Sequence, residues 1–140
     1  MGDVLFTFDS DVAPDAVRRA LTTTEGITSF WTDKADIAEE VGETLQLGFP
    51  EAPLPFDLLL AQSDDKVIIW RTATFPPQWV GTDIRWEISG GDGTSIVAFR
   101  HGTFADETGE GRVAYVWGQV MVQFKRYLET GVAAPVFVNS

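Results

Sequence analysis

The chain has 140 residues and a mass of 15.4 kDa, enough for one domain with one core, and it is 44% hydrophobic, too apolar for a disordered segment. Ten Lys+Arg against twenty-one Asp+Glu leave a charge of −11, which repels nucleic-acid phosphates and anionic lipid headgroups. The absence of cysteine excludes disulfides, thiolate chemistry and cysteine-based metal centres, and fits a reducing compartment.

No apolar run approaches the about 20 residues that a membrane helix needs. Met1-Gly2-Asp3-Val4 lacks the basic start and apolar stretch of a signal peptide. The expectation is therefore one cytoplasmic domain over residues 1–140.

Val4 to Asp9 alternates as a first strand, with Val4, Phe6 and Phe8 on one face. Pro14 suits the first turn of a helix and Asp15 complements its dipole, while Val17, Ala20 and Leu21 supply the apolar side. A second short helix is expected from Thr24 to Phe30. Strands are then expected at Thr44 to Phe49, Phe56 to Gln62, Val67 to Ala73, Thr82 to Ser89 and Thr94 to His101, with a hairpin at Gly90-Gly91-Asp92-Gly93. Turns at this spacing, with no helical pattern between them, imply an antiparallel sheet.

Ala105 to Glu110 reads as a polar loop. From Gly111 to Glu129, Val113, Val116, Trp117, Val120, Met121, Phe124 and Leu128 form one broad helical stripe, and Gly131 falls at a C-cap position. Such a helix would be roughly 28 Å long. It can bury its stripe only by lying across a curved sheet. The tail from Val132 is more apolar than an ordinary frayed end.

Several segments carry a resemblance in order and spacing. Ala20-Leu21-Thr22, Glu25-Gly26-Ile27 and Phe30-Trp31 match a segment A-L-T-x-x-E-G-I-x-x-W-W, with Phe for the first Trp. Gly42 matches a glycine before the next strand, where the usual second glycine is Glu43. His101-Gly102-Thr103-Phe104 is similar to an H-x-G-F element with one position shifted. Trp117, Met121, Phe124-Lys125, Tyr127-Leu128-Glu129 and Gly131 are close to a closing W-x-x-x-L-x-x-L-K-x-Y-L-E-x-G. From about residue 4 to residue 131 the chain thus resembles the START-like, or SRPBCC, superfamily, in its branch of activators of heat-shock protein 90 ATPase and their bacterial relatives. The resemblance implies an α+β helix-grip fold: a curved antiparallel sheet of six to seven strands around a long C-terminal helix, with two short helices after the first strand. It also implies an apolar cavity between sheet and helix.

The candidate ligand pocket follows from that implication together with strand parity: Trp31, Phe49, Trp86, Phe99, Trp117, Met121 and Phe124, with His101 at the mouth. The competing reading is that these rings fill the core. Arg71, alternating with Val67 and Ile69, is a candidate anchor for a ligand carboxylate, or else pairs with an acid. Arg85 and Arg100 fall on the opposite faces from Trp86 and Phe99 and read as solvated. His101, the single histidine, is a candidate acid or base, but no neighbouring motif supplies a group to orient it.

No metal site and no cofactor is expected. Asp9-Ser10-Asp11 and Asp64-Asp65 lack the spacing of a calcium loop, and the Gly90 to Gly93 turn joins two strands and is no phosphate loop. No catalytic residue is assigned, since no G-x-S-x-G or base-paired serine occurs. Tyr115 and Val122 point away from the apolar stripe and mark a candidate homodimer contact. The leading functional expectation is a binding protein for a hydrophobic small molecule, with no nucleic-acid or membrane partner. A cyclase- or aromatase-like enzyme and a co-chaperone-type interaction module are the alternatives that the resemblance carries.

Overall fold

The computed structural model describes residues 2–50, 52–104 and 107–139, with residues 103, 104 and 107–112 described by their backbone alone. Its elements are β1 (Gly2–Ser10), α1 (Pro14–Thr22), α2 (Thr24–Phe30), β2 (Lys34–Asp36), β3 (Thr44–Gly48), β4 (Phe56–Ser63), β5 (Val67–Thr72), a 3₁₀ turn (Pro77–Trp79), β6 (Asp83–Gly91), β7 (Thr94–Phe104) and α3 (Glu107–Thr130).

The strands make one seven-stranded antiparallel sheet in the order β1-β7-β6-β5-β4-β3-β2. Alternation sets its two faces. Leu45, Leu47, Leu58, Leu60, Ile68, Trp70, Ile84, Trp86, Ile88, Val97 and Phe99 are buried against the helices. The helices answer with Val17, Leu21, Ile27 and Phe30 from α1 and α2, and with Trp117, Val120, Met121 and Phe124 from α3. Tyr115 and Val122 stand exposed on the other side of α3. This is the helix-grip arrangement.

Local chemistry explains the turns. Thr23 caps α2 by accepting the Gly26 N–H at 3.1 Å on its hydroxyl. A side chain at Gly26 would collide with the Ala20 carbonyl, so glycine lets α1 and α2 pack closely. In the β6–β7 hairpin Gly90, Asp92 and Gly93 all take positive φ, which the glycine-rich turn permits.

Three features differ from the sequence reading. β2 was not anticipated, because Lys34-Ala35-Asp36 has no apolar alternation; it is a three-residue edge strand paired with β3. The helix α3 begins at Glu107, so residues 107–110 are helical rather than loop, while Ala105 and Asp106 lie outside the described residues. The C-terminal tail is docked. Phe137 pairs in parallel with Thr32, its N–H donating to the Trp31 carbonyl at 2.9 Å and its carbonyl accepting from Asp33 at 3.1 Å. Ala134 N–H donates to Ser29 at 2.9 Å, extending this attachment towards α2.

Candidate functional site

The layers separate at one end of the sheet and leave a half-open chamber of about 390 Å³. Trp31 enters it from the end of α2, Phe49, Pro50 and Ala52 from the segment after β3, and Phe56 from the start of β4. Trp79 of the 3₁₀ turn, Val113, Val116 and Trp117 of α3, and Phe137 of the tail complete the wall. The rings brace one another: Trp31 and Trp117 have centroids 4.9 Å apart, Phe49 meets Phe137 edge-on at 5.1 Å, and Trp79 meets Phe56 edge-on at 5.1 Å.

Asp57 holds the segment that delivers Trp79. Its carboxylate accepts the Thr74 hydroxyl at 2.5 Å and the Thr74 and Phe75 N–H groups at 3.0 and 2.8 Å. Burial alone would raise the Asp57 pKa, but these hydrogen bonds outweigh it and hold the carboxyl below its ordinary value. Thr82 closes the turn, donating its hydroxyl to the Trp79 carbonyl at 2.6 Å.

Behind the chamber lies a buried polar chain. The Trp117 indole N–H donates to His101 Nδ1 at 3.0 Å, and His101 Nε2 lies 2.9 Å from the Thr82 hydroxyl. With Nδ1 accepting, Nε2 carries the proton and donates to Thr82, whose own hydrogen goes to Trp79. Burial pushes the His101 pKa down to about 3, only partly opposed by the charge of Asp3. His101 is wholly buried and neutral at physiological pH. It sits behind the wall rather than at the mouth, with the Trp79 ring edge-on to it at 4.5 Å.

The candidate residues from the sequence divide into three groups. Trp31, Phe49 and Trp117 line the chamber. Trp86, Phe99, Met121 and Phe124 are brought close to these but fill the solid core: Phe124 stacks on Phe30 at 4.1 Å, and Trp86 meets Phe99 edge-on at 4.8 Å. Arg71 does not reach the chamber. It lies on the outer face of the sheet and makes a two-pronged ion pair with Asp83 at 2.7 and 3.2 Å. Its apolar companions Val67 and Ile69 are half-buried on that outer face, which is why parity alone misplaces it. Arg85 and Arg100 are also on this face, paired with Glu87 and Asp3.

Sequence reasoning did not single out Phe56, Trp79, Val113, Val116 or Phe137 for the site. Trp79 follows Pro76-Pro77 outside any periodic segment, and Phe137 lies in the tail. The apolar character of that tail was the available signal. Among the described residues, no group of three or more His, Asp or Glu side chains could hold a metal ion, and no helix is long and apolar enough to cross a membrane.

No family model and no curated protein matches the chain. Solved structures do match in fold. The dimeric Aha1 of Colwellia psychrerythraea, determined in solution, is similar at 23% identity and a TM-score of 0.83, covering 94% of this chain and 98% of that one. A protein of Staphylococcus saprophyticus is similar at 19% identity and a TM-score of 0.77, covering 97% and 98%. DynU16, a protein of the dynemicin biosynthetic locus, is similar at 15% identity and a TM-score of 0.82, covering 99% of this chain and 51% of that one. These likenesses agree with the helix-grip fold of the chain; a fold does not by itself fix an activity.

Proposed function

We propose that this helix-grip domain binds a small hydrophobic molecule non-catalytically in the end chamber. The observation that carries the reading is the chamber itself: about 390 Å³, walled by aromatic and aliphatic side chains contributed by six separate parts of the chain. Ligand sites are concave and mostly apolar in this way, and the volume falls within the range of small-molecule pockets. The enzyme alternative draws less support, because the single histidine is wholly buried with Trp117 and Thr82 as hydrogen-bond partners. The experiment is native mass spectrometry of the purified protein, with organic extraction and titration of a hydrophobic fluorophore. A co-purifying molecule, or saturable fluorophore binding weakened by Phe137→Ala, is expected. A clean protein mass together with no fluorophore binding would overturn the reading.

The same domain is proposed to self-associate through the outer face of α3, where Tyr115 and Val122 are exposed. The fold neighbour from Colwellia was solved as a dimer. Light scattering of the wild type and of Tyr115→Glu tests this: a dimer that dissociates on substitution is expected, and a monomeric wild type would dispose of it.

A further inference from the structure

We infer that the chamber selects uncharged aromatic molecules and rejects anionic ones, a specificity that rests on the ligand-binding reading above. Among the described residues, no ionisable or amide side chain lines the chamber, whereas six of its ten lining residues are the aromatics Trp31, Phe49, Phe56, Trp79, Trp117 and Phe137. Three polar side chains next to the wall, those of Trp117, His101 and Thr82, are engaged with one another. The Trp117 indole N–H is held by His101, His101 is held to Thr82, and the Thr82 hydroxyl is held by the Trp79 carbonyl. This chain runs behind the rings, and its hydrogen bonds are made within the protein.

A carboxylate or sulfonate drawn into this half-open space would lose part of its water and meet no cation among the described residues in exchange, a penalty that apolar contact does not offset. His101 does not supply that cation, since burial keeps it neutral. The charge of −11 adds a long-range repulsion of the same sign. Flat aromatic molecules, in contrast, gain edge-on and offset contacts with rings that already pack in those geometries, such as Trp79 against Phe56 and Phe49 against Phe137.

The test is a matched pair of fluorophores on one skeleton, N-phenyl-1-naphthylamine and 8-anilino-1-naphthalenesulfonate, titrated into the wild-type protein at neutral pH and again at high salt. The neutral probe is expected to bind at least about tenfold more tightly. That ratio is expected to persist at high salt, where the surface charge is screened. Dodecanol is expected to compete poorly against the neutral probe. A Val116→Lys variant, which places an ammonium in the wall at a half-buried position, is expected to improve sulfonate binding and narrow the ratio.

Equal or tighter sulfonate binding by the wild type would overturn the selectivity and leave the ligand-binding reading intact. A ratio that vanishes in salt, or that Val116→Lys leaves unchanged while the variant keeps its circular dichroism, would overturn the role of the wall. Dodecanol displacing the neutral probe as well as an aromatic competitor would overturn the preference for rings. Failure of both probes to bind would remove the ligand-binding reading and the selectivity together.

Discussion

Nδ1 of His101 accepts the indole N–H of Trp117 at 3.0 Å, so the ring can take a second proton only by giving up that bond. Stability therefore depends on pH through this residue. In the unfolded chain the imidazole titrates near 6.5, and in the folded protein burial lowers its pKa to about 3. Between those values the unfolded state binds the extra proton. The stabilisation is complete above 6.5 and is lost as pH falls towards 3, by up to about 1.4 kcal/mol per unit. Urea unfolding at pH 5 is expected to give a free energy roughly 2 kcal/mol below that at pH 7 from this source. A His101→Gln variant, less stable throughout, is expected to show a flatter slope. The carboxyls of Asp33, Asp57 and Asp64, whose pKa values are lowered from 3.8, add their losses only at more acidic pH. Identical slopes for variant and wild type would contradict a buried neutral His101.

Core and chamber respond differently to truncation. Phe124 stacks on Phe30 and meets Trp86 edge-on at 5.5 Å, so Phe124→Ala is expected to cost about 3–5 kcal/mol in chemical denaturation. It is expected to leave the probe affinity of the folded fraction unchanged. Trp79→Ala is expected to do the reverse, with a smaller loss of stability and a clear loss of probe binding. If both variants lose affinity only in proportion to unfolding, the chamber is not a binding site.

The tail is expected to matter through Asn139. Its side-chain amide donates to Asp33 Oδ1 at 2.7 Å, and its backbone N–H donates to the same oxygen at 2.9 Å. These two bonds, the side-chain one foremost, hold the Asp33 carboxyl below its ordinary pKa. Asn139→Ala is therefore expected to move the Asp33 titration upwards, as read by carboxyl NMR, while the fold persists. Loss of the neighbouring Phe137 wall is a separate effect, reached by Phe137→Ala. An Asp33 titration unmoved in Asn139→Ala would mean that the tail is not clamped there in solution.

Arg71→Ala is expected to have little effect. The pair with Asp83 is about half exposed, and such pairs contribute less than about 1 kcal/mol. Probe affinity is expected to remain at the wild-type value, within titration error. A large loss of affinity would restore Arg71 as a ligand anchor and contradict its position on the outer face.

Much of the fold was legible because burial follows a period. Leu45 and Leu47, or Ile84, Trp86 and Ile88, announce a strand and its inner face together, and Trp117, Val120, Met121 and Phe124 do so for a helix. Lys34-Ala35-Asp36 had no such signal, because an edge strand this short is held by backbone pairing with β3 rather than by an apolar face. The candidate site was less legible. Parity says which face a ring occupies, but not how far along the element the layers part, so it could not separate Trp117 at the open end from Phe124 in the solid middle. Trp79 and Phe137 lie in segments without any period, where only the folded chain shows what they approach.

The neighbour relations of the sheet also carry a cost in time. Every strand from β2 to β6 meets the next one along the chain, but β1 waits for β7, so that Phe6 lies opposite Phe99. The inner face of β1, with Val4, Phe6 and Phe8, gains its sheet partner only when residues 94–104 are available. The other pairs join strands consecutive in sequence, whereas β1 closes on β7 across the longest stretch of chain and so carries the largest loop-closure entropy in the sheet. A chain cut before residue 94 would thus leave β1 without its only strand neighbour and its hydrogen-bonding edge open.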